Sequence, residues 1–261
     1  MKKNNNLKQT KILILMAACN GAKYISNQIE SILGQNKVEV TIKIGVDISN
    51  DNTLSICKNF ERNFKNISII ENNDNNSFAA KNFYRLIKNT EFSKYDYVAF
   101  SDQDDIWFEN KLFDAINIFS KFNIDAYSSD VIALWKHNDK KIYIKKSYKQ
   151  KKFDYLFESP GPGCTFVINK KTYQFLNKFI IDNWKNIILF KQHDWLIYSI
   201  LRINNYNWYI HNKANMYYLQ HSENVFGVNY GFDAIIKRSN LLLKRWYRDE
   251  IIKISKIIHK K

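Results

Sequence analysis

After a polar start, the chain enters an unbroken apolar run, Ile12 to Ala18, which suits a strand buried on both faces. Asn20-Gly21 then makes a turn. From Tyr24 to Leu33 the apolar positions 25, 29, 32 and 33 share one helical face. Val38 to Val46 reads as a second strand, followed by a polar turn, Asp47 to Thr53, rich in helix-capping residues. Leu54, Cys57, Phe60 and Phe64 form another helical stripe. Ile67 to Ile70 is a short third strand, Phe78 to Ile87 a helix, Tyr97 to Ser101 a fourth strand and Lys111 to Phe122 the helix after it. This alternation predicts an α/β fold, a mixed but mostly parallel sheet with right-handed crossovers and helices on both faces.

The second half is less regular. Ala126 to Leu134 and Ile142 to Ile144 can pair as a hairpin, and Pro160-Gly161-Pro162-Gly163 is a tight loop. Cys164 to Ile168 reads as a strand and Thr172 to Ile181 as a helix. His193-Asp194-Trp195 opens a further helix, Leu196 to Leu201, and Trp208 to Ile210 and Met216 to Leu219 are late strands. Residues 1–231 therefore read as one domain, with a first half, 1–107, and a second half, 108–231. Residues 232–261 read as a basic C-terminal amphipathic helix, with nine Lys or Arg against three acids. Such a helix either lies in a bilayer interface or docks on the domain with a solvated basic face.

Composition narrows the function classes. Forty basic residues against 25 acidic leave a net charge of +15, which attracts nucleic acid, anionic lipid or phosphorylated substrates. No nucleic-acid-binding motif is visible. Three widely spaced cysteines without a C-x-x-C suit a reducing compartment and argue against structural zinc. Lys2 and Lys3 before Ile12 to Ala18 imitate a secretory signal, but a strand entering a helix explains the same residues together with the turn at Asn20-Gly21. No stretch approaches the 18 apolar residues a transmembrane helix needs.

Polar turns after parallel strands gather along one sheet edge, where ligands of open α/β sheets bind. Asn20, Asp47 and the acid turn Asp102-Gln103-Asp104-Asp105 fall on that edge together. Three carboxylates within four positions repel one another unless something positive joins them, and a hard divalent cation holding a phosphorylated substrate is the usual answer. The plainer alternative is an acidic turn leading into the next helix. Spacing alone does not distinguish 102, 104 and 105 as ligands.

Four separated stretches carry a family resemblance over roughly residues 10 to 230. They are Ala17-Ala18-Cys19-Asn20-Gly21-Ala22-Lys23-Tyr24, Asp47-Ile48-Ser49-Asn50-Asp51-Asn52-Thr53, Ser101-Asp102-Gln103-Asp104-Asp105-Ile106-Trp107, and His193-Asp194-Trp195 with Gln220-His221-Ser222-Glu223-Asn224-Val225. In this order they resemble the inverting family 2 glycosyltransferases of GT-A (Rossmann-like) fold, in particular rhamnosyltransferase-like members. The resemblance implies metal-dependent transfer of a sugar, rhamnose by likeness, from a dTDP- or UDP-linked donor to a hydroxyl of a glycan acceptor. It implies Mn²⁺ or Mg²⁺ on Asp104, with Asp102 as second ligand or bound to the ribose, and His221 as third ligand or phosphate donor.

By the same likeness, Ala18, Asn20 and Asp47 line the nucleotide slot; Lys81, in Ala80-Lys81-Asn82, either faces phosphate or is one more solvated lysine. Asp194 is the general base with His193 beside it; Gly163, Cys164 and Trp195 shape the acceptor site, and Trp107 and Trp195 offer stacking faces. A lipid-linked acceptor in bacterial surface polysaccharide synthesis, at the cytoplasmic face of the inner membrane, completes the expectation. Two departures stand out: Ala18 where the family usually has Thr or Ser, and Val46-Asp47-Ile48 where paired acids and Gly are usual. They leave open a catalytically inactive scaffold. A basic protein binding nucleic acid or lipid is the non-enzymatic alternative, and a nucleotidyltransferase, which lacks a Gly-rich phosphate loop here, the other enzymatic one.

Overall fold

The structure, a computed structural model, describes residues 9–221 and 245–258. Its first strand, β1 (Thr10–Ala18), is the axis of the molecule. Side chains alternate across a strand, so Leu13, Leu15 and Ala17 enter one hydrophobic core while Ile12, Ile14, Met16 and Ala18 enter another. That is why the run has no polar interruption: both faces are covered.

A seven-stranded sheet is built around β1. Its strands are β2 (Val38–Asp47), β3 (Ile67–Asn72), β4 (Tyr97–Ser101), β6 (Ala126–Ser129), β9 (Val167–Asn169) and β10 (Trp208–His211). The order is β10-β6-β9-β4-β1-β2-β3. All pairings are parallel except those of β9, which runs antiparallel to β4 and β6. Helices α1 (Ile25–Leu33), α2 (Thr53–Asn63) and α4 (Lys111–Lys121) cover one face. Helices α3 (Ala79–Asn89), α5 (Lys170–Asp182) and α7 (His193–Ile203) cover the other, with short α6 (Trp184–Ile187) between the last two. Helix α3 sits close enough on β2 that a Cβ on Gly45 would collide with Asn82 Oδ1; instead Asn82 Nδ2 donates to the Gly45 carbonyl at 2.8 Å.

A second sheet, ordered β5-β11-β7-β8, comprises β5 (Ile106–Trp107), β7 (Val131–Trp135), β8 (Lys140–Ile144) and β11 (Met216–Leu219). Here the structure corrects the sequence reading. Residues 126–134 are not one hairpin arm: β6 joins the large sheet, and only β7 pairs with β8, in the register Val131↔Ile144. The chain changes sheets at buried Asp130, whose carboxylate accepts from Lys146 N, Ser147 N, Ser147 Oγ and Tyr143 Oη. Residues 163–165 are likewise a 3-10 turn, closed by Thr165 N and Phe166 N onto the Pro162 and Gly163 carbonyls, and the strand starts only at Val167.

The C-terminal helix spans Trp246–Ile258 within the described residues; 232–244 and 259–261 lie outside them. Ile254, Ile257 and Ile258 are buried in the core beside α7, so over this span the apolar face is turned into the domain. No described helix is long and apolar enough to cross a membrane.

Candidate active site

The turns leaving β1, β2 and β4 are laced into one rim. Gln103, just after β4, holds both sides of the Cys19 peptide: Cys19 N donates to its Oε1 and its Nε2 donates to the Cys19 carbonyl, each at 2.8 Å. Asn20, in the left-handed region at φ 49°, accepts from Asn50 N at 2.8 Å, and its own N–H donates to Ser49 Oγ at 3.0 Å. Gly21 N donates to Thr53 Oγ1, and Ala22 N to Asp51 Oδ2. Burial works against the Asp51 charge, but hydrogen bonds from Thr53 and Ala22 outweigh it and lower its pKa. Asp47, buried at the end of β2, accepts from Asn72 Nδ2 at 2.9 Å and Ser77 Oγ at 2.7 Å. Desolvation still raises its pKa.

The acid turn follows β4. Asp104 Oδ2 lies 2.9 Å from His221 Nε2, and the His221 ring is stacked on Tyr24 with centroids 4.4 Å apart. The register Tyr217↔Ile106 explains the meeting: β11 runs antiparallel to β5 and carries its end back toward the acids. Ligand atoms of Asp102, Asp105 and Cys164 lie within 4.8 Å of one another. Asp105 is buried, and among the described residues no N–H or O–H group reaches either carboxylate oxygen. Burial, then the charge of Asp104, raises both Asp102 and Asp105. Burial also raises the Cys164 thiol, which stays protonated. Below the turn, Lys111 Nζ donates to the Cys164 carbonyl at 3.1 Å and sits 4.5 Å over the Trp107 ring. Its burial lowers its pKa to about 8.

This donor set can be tested against a cation. Asp102 and Asp105 are penalised for ionising, no N–H or O–H donor among the described residues reaches the Asp105 carboxylate, and Asp104 Oδ2 faces an imidazole nitrogen. Carboxylate and imidazole ligands suit Mg²⁺ or Mn²⁺, while the only sulfur in reach among the described residues is a protonated thiol. The residues present therefore fit a hard divalent ion.

Helix α7 brings the remaining side chain. His193, its first residue, is stacked on Phe83 at 4.1 Å and abuts Gly163 so closely that a Cβ there would collide with Nε2. Desolvation lowers the His193 pKa and keeps the ring neutral. Asp194 is next, accepting from Trp195 N at 2.8 Å. Its charge is among those that raise Asp102, which sets the two carboxylates in one electrostatic neighbourhood. It is not the N-cap: that position is Gln192, without a side-chain cap bond.

Three comparisons bear on this arrangement. The family model described as "Glycosyl transferase family 2" matches residues 13–183. The dTDP-rhamnosyl transferase RfbG of Shigella flexneri is 43% identical over 241 residues, covering 92% of this chain and 83% of that protein. This chain belongs to glycosyl transferase family 2. Among solved structures, S. aureus TarS 1-349 in complex with UDP-GlcNAc is similar with a TM-score of 0.64 at 17% identity, over 95% of this chain and 70% of that one. For TarS 1-349 alone the TM-score is 0.61 at 19% identity, and the chain spans 60% of its length. The mannosyltransferase PcManGT from Pyrobaculum calidifontis, in complex with GDP-Man and Mn2+, gives 0.58 at 12% identity, over 95% and 68%. These likenesses establish the shared GT-A fold.

Several residues singled out from the family 2 motifs sit differently from expectation. Trp195 is no open stacking platform: its indole is buried and donates Nε1 to the Tyr155 carbonyl at 2.9 Å. Trp107 is equally buried. Lys81 is engaged with Asp74 at 2.5 Å, beside Arg85 on the same carboxylate. The Ala18 methyl faces the core, so only its backbone borders the rim. Gly163 and Cys164 are buried under the acid turn. The motifs gave no sign of Gln103, whose partner Cys19 is 84 residues away in sequence, or of Tyr24 as the platform of His221. Residues 222–225 lie outside the described residues.

Proposed function

We propose that this family 2 glycosyltransferase transfers a sugar from a nucleoside diphosphate donor to a hydroxyl of a glycan acceptor in a single inverting displacement. The observation that supports the reading is the pairing of the acid turn with His221, together with His193, the neighbour of Asp194, packed against Gly163 next to Cys164, which lies beside Asp102 and Asp105. In this reading the nucleotide occupies the half up to residue 107, against Asn20, the Ala18 backbone and Asp47. Residues 108–231 then form the acceptor half.

Asp104, Asp102 and His221 would hold Mn²⁺ or Mg²⁺, which when bound offsets the charge gathering on the departing diphosphate. Asp194 takes the proton of the attacking hydroxyl. Neutral His193, wedged between Phe83 and Gly163, fixes the start of α7 and with it the position of that carboxylate. A placed general base contributes typically about 10²–10⁴-fold, or about 3–5 kcal/mol of barrier. One base opposite one leaving group gives inversion. The identity with a dTDP-rhamnosyl transferase supports dTDP-rhamnose as donor. We further propose a lipid-linked acceptor in surface polysaccharide synthesis, in the cytoplasm at the inner membrane face, to which a net charge of +15 would draw the protein.

Thermal unfolding with dTDP, UDP and GDP, each with and without Mn²⁺, tests this. A ligand at a hundred times its Kd stabilises by about 2.7 kcal/mol. The expected result is the largest upward shift for dTDP with Mn²⁺. No shift with any nucleotide would overturn the reading.

A further inference from the structure

The stretch between β8 and the Pro160 loop has no role in the chemistry above, yet it is firmly mounted. Its backbone and inward side chains are pinned from one end to the other. Lys146 N and Ser147 N donate to Asp130, at 2.5 and 2.8 Å. Gln150 Nε2 donates to Tyr198 Oη at 3.1 Å, and Arg202 Nη2 to the Lys151 carbonyl at 3.1 Å. Asp154 is paired with Arg202 at 3.1 Å. The Tyr155 carbonyl accepts from Trp195 Nε1 and from Ser199 Oγ. Residues 145–158 thus form a strap fastened to Asp130 and to α7.

What the strap leaves outside is unusual for a water-facing loop. Tyr148 is 66% exposed, Phe153 51% and Phe157 60%. Among them stand Lys145, Lys149, Lys151 and Lys152, all exposed, with Lys146 half-buried. Lys145 Nζ lies 5.2 Å from the Tyr148 ring and Lys152 Nζ 5.1 Å from the Phe153 ring. Phe153 and Phe157 line one shallow depression of about 430 Å³ together with Lys151, Lys152, Asp154 and Glu158. Of the two acids, Asp154 is spent on Arg202 and only Glu158 is exposed.

We infer that this strap is a docking surface for an anionic phospholipid bilayer, with Tyr148, Phe153 and Phe157 at the acyl boundary and the lysines on the headgroups. A bilayer interface accepts both chemistries in one plane: aromatic rings lose their exposure to water while lysine stems reach back to phosphate. The inference goes beyond the transferase reading, since it needs neither donor nor metal. It also moves the membrane contact away from the C-terminal helix, whose described apolar face is already buried. Because the strap is clamped to α7 at Trp195, Tyr198, Ser199 and Arg202, a docked bilayer would lie against the helix that carries Asp194.

Flotation of the full-length protein with phosphatidylcholine vesicles, with and without phosphatidylglycerol, tests the surface. Binding is expected only with the anionic lipid, weakening as salt rises. Each lysine near an anionic surface is worth roughly fivefold in affinity. The variant Lys149→Gln should lose about that much, and the triple Lys149→Gln/Lys151→Gln/Lys152→Gln on the order of a hundredfold. Phe153→Ser/Phe157→Ser should abolish the binding that survives high salt. Lys253→Gln/Lys256→Gln on the C-terminal helix should change little. Thermal unfolding with dTDP should match wild type in every strap variant, which separates a failure here from a failure of the nucleotide site. The inference is overturned by wild type that ignores anionic vesicles, by strap variants that bind like wild type, by a larger loss from the C-terminal helix pair, or by tighter binding of a single-stranded RNA oligonucleotide than of vesicles.

Discussion

The two sides of the candidate site are held by different forces. On the side of β1, β2 and β4, the turns are tied by short side-chain-to-backbone hydrogen bonds: Gln103 on Cys19, Asn20 on Asn50, Thr53 on Gly21 and Asp51 on Ala22. On the side of α7, position comes from buried rings. Trp195 rests against Phe190, Tyr198 against Trp208, Trp208 against Phe166, and His193 against Phe83. The polar lacing fixes peptide groups at set angles along the sheet edge where we propose the nucleotide binds. The aromatic packing fixes a whole helix, and with it one carboxylate. The difference teaches that the first side is tuned bond by bond, whereas the second stands or falls with the core.

Substitutions should separate the two. The largest effect is expected on the aromatic side. Trp195→Ala removes a buried indole and one of the two donors to the Tyr155 carbonyl, costing about 3–5 kcal/mol of stability in a denaturant titration. On the polar side the loss is smaller and local. Gln103→Ala gives up two partly exposed hydrogen bonds, about 1–2 kcal/mol, and should weaken nucleotide binding about tenfold by calorimetry while the fold stays intact.

The smallest effect is in the pH dependence of stability. Burial lowers the His193 pKa below the usual 6.5, so the unfolded chain takes up this proton first. The stability is full above about pH 6.5 and declines as the pH falls through that value, by at most about 1.4 kcal/mol per pH unit. Chemical unfolding at a series of pH values should show a shallower decline in His193→Gln. His211, also lowered by burial, keeps part of the slope.

The regular half of the fold was legible because a strand covered on both faces must be apolar throughout, and for Ile12 to Ala18 the turn at Asn20-Gly21 favoured that reading over a secretory signal. The acid turn stood out for the opposite reason: three carboxylates at a strand end repel one another, and their place on the same sheet edge as Asn20 and Asp47 set them apart from a plain acidic turn before a helix. Asp194 and His221 were reached through motif likeness; the meeting of His221 with Asp104 depends on β11, and the position of Asp194 on α7, whose placements no local pattern encodes. The change of sheet at Asp130 escaped because its cause, four donors on residues 143–147, is a tertiary event. Trp195 misled because an indole at the mouth of a site and an indole in the core look alike in sequence; only the Tyr155 carbonyl, 40 residues away, decides between them.

The pairing of an acid turn with a separate base is tested most directly by the transfer rate of Asp194→Asn, measured with saturating donor and Mn²⁺ alongside the nucleotide affinity of the same variant. A drop of about 10²–10⁴-fold in kcat with unchanged nucleotide affinity is the predicted result. A kcat equal to wild type would contradict it.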